Sequence, residues 1–122
     1  MENGVKFTFS QIKYIIFLYR LSKDGLGVKN VELANALGFS KPSVHNMLKS
    51  LAELNVVRQE AYGLVFFTEG GRAIARRYNA CYEKLERKIA EFCGNGAISE
   101  NSVCVLLADM PEDKLEALYH SK

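Results

Sequence analysis

A run of polar side chains at residues 40–49 has the chemistry needed to recognise nucleic acid. The sequence SKPSVHNMLK contains serine, lysine, histidine and asparagine and no acidic residue. Asparagine can pair with adenine through two hydrogen bonds, lysine can bind guanine or a phosphate, and serine or histidine can donate to phosphate oxygens. A surface helix that is merely solvated would show the same residue types, so the neighbouring elements must decide between the two interpretations.

These polar residues are predicted to lie on one side of an amphipathic helix. Ser40 is a suitable N-cap, and Pro42 falls in the first turn, where its missing N–H costs little. The opposite side carries apolar residues at helical spacing. They are Val44, Met47, Leu48, Leu51 and Leu54.

The elements around this helix predict a winged helix-turn-helix. A shorter helix over residues 31–37 is expected before it, with Asn30 as N-cap, Gly38 as C-cap and Phe39 buried in the turn. Two β-rich runs follow, over residues 56–60 and 64–68, and Ala-Tyr-Gly between them predicts a hairpin. Two short helices followed by a hairpin form the winged motif, whose second helix enters the DNA major groove.

The hairpin favours nucleic acid over a merely solvated helix. Arg58 and Tyr62 lie near its exposed part, and Arg72 begins the next helix. Lys41 and Lys49, with Arg58 and Arg72, are expected to control binding strength, because phosphate contacts dominate affinity for DNA. The free N–H groups of the recognition helix's first turn are also expected to suit a phosphate. The predicted DNA-contacting residues are Ser40, Lys41, Pro42, Ser43, His45, Asn46, Lys49, Arg58, Tyr62 and Arg72.

The remaining elements are predicted to be helical. A helix over residues 9–23, with Ser10 as N-cap, is apolar nearly all round, which favours packing against a second subunit as well as its own core. Thr68 is expected to cap a long helix over residues 69–92, and Glu69-Gly70-Gly71 is expected to be its loosened first turn. The apolar face predicted for this helix comprises Ile74, Tyr78, Cys81, Leu85, Ile89 and Phe92.

Two short helices, over residues 100–108 and 111–119, are expected to complete the chain. The predicted fold is therefore mainly α with a small β-hairpin wing. Its domains are a winged helix-turn-helix DNA-binding domain over residues 1–70 and a helical dimerisation domain over residues 71–122.

Composition points to an ordinary globular domain. The chain has 122 residues, of which 48% are apolar and 25% charged, and its net charge is +2. Its longest apolar stretch, YIIFLYRL, is too short to span a bilayer, and the start MENGVKF lacks the features of a secretion signal. Three unpaired cysteines, expected to be buried, fit a reducing compartment. These features predict a cytoplasmic protein without a membrane partner. No set of catalytic residues is evident, so an enzyme is not expected.

Four segments together resemble the metal-dependent repressors related to the diphtheria toxin repressor and the manganese transport regulator. They are SQIKYIIFLYRLSKDG, VELANALGFSKPSVHNMLKSLAELNVV, GLVFFTEGGRAIARR and MPEDKLEAL. The resemblance implies a homodimeric repressor that binds a palindromic operator and dimerises through the long helix and the last two helices. The family's DNA-contacting positions fall on Ser40, Pro42, Ser43 and Asn46. The chain ends where larger members continue into an SH3-like domain, so it resembles the shorter type.

The family's metal site does not carry over to this sequence. Its ligand positions fall on Lys13 and Ile16 of the first helix, on Tyr82 of the long helix, and on Cys104, Leu107 and Ala108. A divalent ion needs several nitrogen, oxygen or sulfur donors that converge. Because one thiol beside a lysine does not supply them, no metal or other cofactor is predicted.

Two alternative functions remain open. The multiple-antibiotic-resistance (MarR-like) regulators also combine a winged helix with dimerising end helices, but their wing is longer and rich in Asp and Arg. The short EAYGLV segment favours the first family. A winged helix that binds protein would instead show an acidic or apolar outer surface on its second helix, which Lys41, Asn46 and Lys49 oppose.

Overall fold

The computed structural model describes residues 6–122, so residues 1–5, at the start of the segment predicted to lack a secretion signal, lie outside the described residues. The elements in chain order are α1 (Phe9–Leu21), β1 (Val28–Lys29), α2 (Asn30–Leu37), α3 (Lys41–Glu53), β2 (Val57–Gln59), β3 (Leu64–Phe67), α4 (Glu69–Cys93), α5 (Glu100–Asp109) and α6 (Glu112–His120). The fold is mainly helical with a small sheet, as predicted.

Within these residues, no helix combines the length and the apolar character needed to cross a membrane. The described chain divides into two compact units. One consists of residues 14–76, and the other consists of residues 6–13 together with residues 77–122.

The unit of residues 14–76 contains an antiparallel sheet with strand order β1-β3-β2. The predicted hairpin is confirmed as β2 and β3, in which Val57 pairs with Phe67. The third strand, β1, was not predicted. It consists of two residues, and it pairs with β3 through Val28 opposite Val65 and Lys29 opposite Leu64. This pairing sets the start of α2 beside the end of the wing.

Helices α2 and α3 form the predicted helix-turn-helix. Gly38 ends α2 in the left-handed conformation, with φ of 74°, and its N–H donates to the Ala34 carbonyl. Ser40 caps α3 by accepting from the Ser43 N–H at 3.2 Å. The core of this unit is aliphatic and includes buried Leu33, Val44, Leu48, Leu51, Val56, Val57 and Val65.

Two residues expected in that core lie at the surface. Phe39 is 43% exposed, and its ring contacts Tyr14 with 5.9 Å between ring centroids. Leu54 is exposed because α3 ends at Glu53, so that Leu54 is the C-cap and no longer belongs to the buried stripe. Helical spacing locates a stripe correctly, but it does not tell where the last turn stops.

Two predicted N-caps are wrong. Thr8 caps α1 in place of Ser10, because the Gln11 N–H donates to Thr8 Oγ1 at 3.1 Å and the Thr8 N–H donates to Gln11 Oε1 at 2.9 Å. This reciprocal pair is a capping box. Lys29 occupies the N-cap position of α2 in place of Asn30, and its backbone N–H donates to Glu32 Oε1 at 2.9 Å.

The first turn of α4 is tightly packed and not loosened. Thr68 Oγ1 accepts from the Gly71 N–H at 2.9 Å, which confirms Thr68 as the cap, and donates to the Asn55 carbonyl at 2.7 Å. A Cβ atom on Gly71 would lie 1.8 Å from the Val56 carbonyl oxygen. Glycine is therefore required at this position by the close approach of α4 to the backbone that enters β2.

The other unit is held by apolar and polar contacts between α4 and the last two helices. Cys81 and Tyr82 of α4 are buried, as are Val103, Cys104, Leu107 and Leu115 of α5 and α6. Arg77 binds the carboxylates of Glu112 and Glu116 on α6, each through a contact of 3.0 Å. Lys84 Nζ donates to the Ser121 carbonyl at 2.6 Å, where α6 ends.

The predicted apolar face of α4 is only partly buried. Tyr78 and Cys81 are buried, Ile74, Leu85 and Ile89 are half-buried, and Phe92 is 87% exposed. Cys93, expected to be buried, is also exposed. The exposed apolar side chains of this unit are Phe9, Phe92, Val105 and Leu106.

Most of the apolar residues of α1 are buried without a second subunit. Ile12, Tyr14, Ile15, Ile16 and Leu18 are all buried within the single chain. The case for a second subunit therefore rests mainly on the exposed apolar residues of α4 and α5, to which α1 adds Phe9.

The contact at Gly71 predicts that alanine substitutions at two adjacent glycines have different effects on stability. Gly71→Ala should lower stability by about 1–3 kcal/mol, because its Cβ meets backbone that cannot move aside without disturbing β2. Gly70→Ala is the matched control. A Cβ there meets nothing within 4 Å, and alanine favours the helix, so stability should be unchanged or higher. Urea denaturation of both variants measures this, and equal stabilities would contradict the close approach.

The contacts of Arg77 predict acid-sensitive docking of α6. Hydrogen bonds to Arg77 lower the pKa of Glu112, and hydrogen bonds to His120 and Arg77 lower the pKa of Glu116. Carboxylates with lowered pKa values stabilise the fold above their ordinary pKa of 4.5, and this contribution is lost as the pH falls further.

Arg77→Gln should therefore lower Tm at pH 7, and the difference from wild type should shrink below pH 4.5. Arg76→Gln, at an exposed neighbouring position, is the control and should have little effect at either pH. A Tm difference for Arg77→Gln that is the same at pH 3 and pH 7 would show that the ion pairs contribute nothing.

Candidate nucleic-acid interface

An open groove lies between α3, the start of α2 and the tip of the wing. It has a volume of about 490 Å³ and belongs to the unit of residues 14–76. It brings together five of the ten predicted DNA-contacting residues, which are Lys41, Pro42, His45, Asn46 and Tyr62. The other residues that line it are Lys29, Asn30, Val31 and Gly63.

Helix α3 presents its polar side to this groove because its apolar side is fixed in the core. Val44 and Leu48 are fully buried, whereas Lys41, His45 and Asn46 are exposed. Lys49 is exposed one turn further along α3 and does not line the groove. The exposed side of α3 therefore offers an amide, an imidazole and two ammonium groups to a partner.

The first turn of α3 is less open to an anion than the sequence indicated. Pro42 has no N–H, and the Ser43 N–H is bonded to Ser40 Oγ. The hydroxyl groups of Ser40 and Ser43 also form a hydrogen bond, with 3.0 Å between the two oxygens. When Ser40 donates in that bond, the Ser43 hydroxyl keeps its own proton for donation to a base or phosphate. Side chains, more than backbone amides, supply the donors here.

The wing tip carries one fully exposed aromatic side chain. Tyr62 is 96% exposed and adopts a left-handed backbone with φ of 63°, and Gly63 follows with φ of 73°. A tyrosine in this region of φ is uncommon, and such conformations cost free energy. The tight turn thus directs its largest side chain into solvent at the edge of the groove. Burial of the Tyr62 ring therefore does not offset the free-energy cost of its backbone conformation.

The two predicted arginines lie outside the groove and contact other side chains. Arg58 Nε donates to Glu60 Oε2 at 2.9 Å, and its guanidinium lies 4.9 Å from the centre of the Phe66 ring. The guanidinium of Arg72 lies 5.7 Å from the centre of the Phe67 ring. Each guanidinium group thus lies against an aromatic ring of β3. The charge of Arg58 is in addition paired with the Glu60 carboxylate.

Sequence reasoning missed Lys29, Asn30, Val31 and Gly63 as residues of the groove. No periodic pattern marks them, since they reach the groove through the pairing of β1 with β3. The Asn30 side chain does not cap α2, and its Oδ1 atom is buried without a hydrogen-bond partner among the described residues. The missed residues add a second lysine and a second amide to the groove.

The residues at the ligand positions of the metal-dependent repressors do not fit a divalent ion. Tyr82, Cys104 and Leu107 are buried, and Lys13 Nζ donates to Asn101 Oδ1 at 2.8 Å. Among the side chains that the structure describes, no three of His, Cys, Asp or Glu are grouped so that they could hold a metal. A thiol, a phenol and a lysine engaged with an amide do not form the set of donors that such an ion requires.

Comparison of the sequence with known proteins gives one partial family match. The model of the IclR helix-turn-helix domain matches residues 18–61, which run from α1 to the wing turn and form about a third of the chain. No curated protein matches the sequence.

Solved structures share the fold at low sequence identity. The manganese regulator SloR has a TM-score of 0.70 and 19% identity over 88% of this chain and 51% of its own. T. acidophilum IdeR has a TM-score of 0.60 and 16% identity over 97% and 54% of the two chains. MepR, a transcription regulator of the Staphylococcus aureus multidrug efflux pump MepA, has a TM-score of 0.51 and 19% identity over 89% and 78%.

The chain thus spans about half the length of SloR and of IdeR. These similarities and the partial family match agree with the observed helix-turn-helix and wing. The fold of the chain is that of winged helix-turn-helix DNA-binding transcription regulators.

Proposed function

We propose that this protein is a transcription regulator that binds double-stranded DNA as a homodimer. The observation that carries the proposal is the groove in which α3 presents Lys41, His45 and Asn46 beside the wing residue Tyr62. The winged-helix fold supports it, because this fold uses its second helix to read the major groove. The ten residues from Ser40 to Arg72 predicted from the sequence remain the proposed contact set, with Arg58 and Arg72 at its periphery.

The proposed mechanism separates base recognition from backbone binding. Asn46 is placed to pair with adenine in the major groove, while Lys41, Ser43 and Lys49 bind phosphates that fix the orientation of α3. Tyr62 then contacts the DNA beside the site read by α3. Residues 1–70 form the DNA-binding domain and residues 71–122 the dimerisation domain in this proposal, and the protein acts in the cytoplasm.

The proposed regulator is a repressor that does not depend on a divalent metal. Resemblance to the diphtheria toxin repressor group supports repression at a palindromic operator, and the chain shares its fold with the manganese regulator SloR. The residues at the family's ligand positions, Tyr82 and Leu107 among them, support metal independence, because their buried side chains leave no set of donors.

A second candidate is a regulator of the multiple-antibiotic-resistance type, which the fold shared with MepR favours. The short wing, in which residues 60–63 connect β2 directly to β3, still supports the first candidate. A protein-binding module receives less support, since the exposed side of α3 carries Lys41, Asn46 and Lys49, and its one acidic residue, Glu53, lies at the far end of the helix.

Two substitutions on α3 test the groove assignment. Asn46→Ala should weaken binding by about 1–3 kcal/mol and relax base preference at one position, because a bidentate contact to adenine is lost. Lys49→Ala should weaken binding to all sequences and reduce its salt dependence. Fluorescence anisotropy with a preferred duplex measures both.

Asn95→Ala, at an exposed position after α4, is the control and should bind like wild type. If Asn46→Ala and Lys49→Ala also bind like wild type, α3 is not the element that reads DNA.

The exposed apolar residues of α4 and α5 test the homodimer. Light scattering at micromolar concentration should give twice the chain mass of 13.7 kDa. Phe92→Ser should shift the mass towards the monomer, because the proposed interface loses its largest exposed apolar side chain. Leu26→Ser, at an exposed apolar position of the other unit, should leave the dimer intact. A monomeric wild type at every concentration would contradict the dimer.

A further inference from the structure

Lys29 is the least expected cation of the groove, and its backbone is held in two ways. It pairs with Leu64 in the sheet, and its N–H donates to the Glu32 carboxylate at 2.9 Å. Both contacts use the main chain and neither uses the side chain. The fold therefore places Lys29 among the residues that line the groove, and the hydrogen bonds and ion pairs of the described residues do not use its ammonium group.

The groove holds positive charge on two of its sides. Lys29 comes from the segment of β1 and α2, whereas Lys41 comes from the first turn of α3. No acidic residue lines the groove, and neither lysine forms an ion pair with an acidic residue in the part of the chain that the structure describes. Two like charges in an open groove that no acidic side chain lines favour an anionic partner there.

We propose that Lys29 is a further DNA-backbone contact, and that it binds a phosphate next to the one bound by Lys41. This inference rests on the proposed function and extends the site beyond the helix-turn-helix to the strand before it. The groove then follows the sugar-phosphate backbone, with the two lysines at its sides and Tyr62 at the wing end. Asn30 beside Lys29 adds a polar group to the same wall.

The partner is the phosphodiester backbone of duplex DNA and not a free anion. Two isolated ammonium groups in an open, solvated groove bind a single small anion weakly, since water screens each contact. A backbone already positioned by α3 presents several phosphates at once. Each neutralised phosphate releases counterions, and this makes the Lys29 contact visible in the salt dependence of binding.

The test compares lysine variants on a duplex that the wild-type protein prefers. Anisotropy titrations over a series of KCl concentrations should show that Lys29→Ala weakens binding several-fold. The slope of log affinity against log salt should fall by about one, as expected for one lost phosphate contact. In the double variant Lys29→Ala/Lys41→Ala, the same slope should fall by about two. Lys23→Ala removes the same charge from an exposed turn outside the groove and should change neither quantity.

Three further measurements distinguish a backbone contact from a loss of stability and from a free-anion site. Lys29→Arg should retain the wild-type slope, and Lys29→Ala should keep the wild-type Tm because its cap is made by the main chain. Inorganic phosphate at constant ionic strength should not compete with the duplex. Competition would show a free-anion site and overturn the inference.

The outcomes also separate this inference from the proposed function. A wild-type protein that binds no duplex overturns the proposed function itself. A wild-type protein that binds DNA, together with a Lys29→Ala variant of unchanged affinity and salt slope, overturns the role of Lys29 alone.

Discussion

The wing depends on the close packing of its base against the start of α4. At this point Thr68 accepts from the Gly71 N–H and donates to the Asn55 carbonyl, while the Gly71 backbone leaves no room for a side chain next to Val56. The end of α3, the entry to β2 and the first turn of α4 are thereby joined through the Thr68 hydroxyl and the main-chain groups that it contacts. A hairpin with only two short strands would be marginal alone, so this anchor lets it act as a fixed wall.

The groove is a consequence of that anchoring. Pairing of β1 with β3 adds Lys29 on one side, and the buried Val44 and Leu48 turn His45 and Asn46 of α3 towards the other. Arg58 has its charge balanced by Glu60, so the cations that face the groove are lysines. The wing contributes chiefly the aromatic side chain of Tyr62 at its tip. Because this side chain is uncharged, we expect its contact with DNA to depend less on salt than the contacts of the lysines.

Much of the fold could be predicted from local sequence, because the deciding features are local. Gly38, Ser40 and Thr68 mark helix ends through contacts with residues at most a few positions away. Apolar spacing placed the buried side of α3 correctly. The caps of α1 and α2 were misplaced by one or two residues, since Thr8 and Lys29 compete with equally plausible neighbours.

The remaining features depend on contacts between distant residues, which no local pattern records. The two-residue strand β1 exists because β3 pairs with it, and Lys29 enters the groove for the same reason. Burial of Ile12 and Ile16, exposure of Phe92 and pairing of Arg58 with Glu60 likewise follow from tertiary packing. The predicted DNA contacts on α3 needed only one helix and its spacing, and four of them, Lys41, Pro42, His45 and Asn46, line one wall of the groove.

Selection of bound duplexes from a random pool tests the central claim most directly, because it assumes nothing about the operator. The purified protein should enrich one sequence with two inverted half-sites, as expected for a two-fold symmetric dimer. It should enrich the same sequence with EDTA present, since the residues at the family's metal positions do not fit an ion. A pool that remains random in every condition would contradict DNA recognition, and enrichment that requires Mn²⁺ would contradict metal independence.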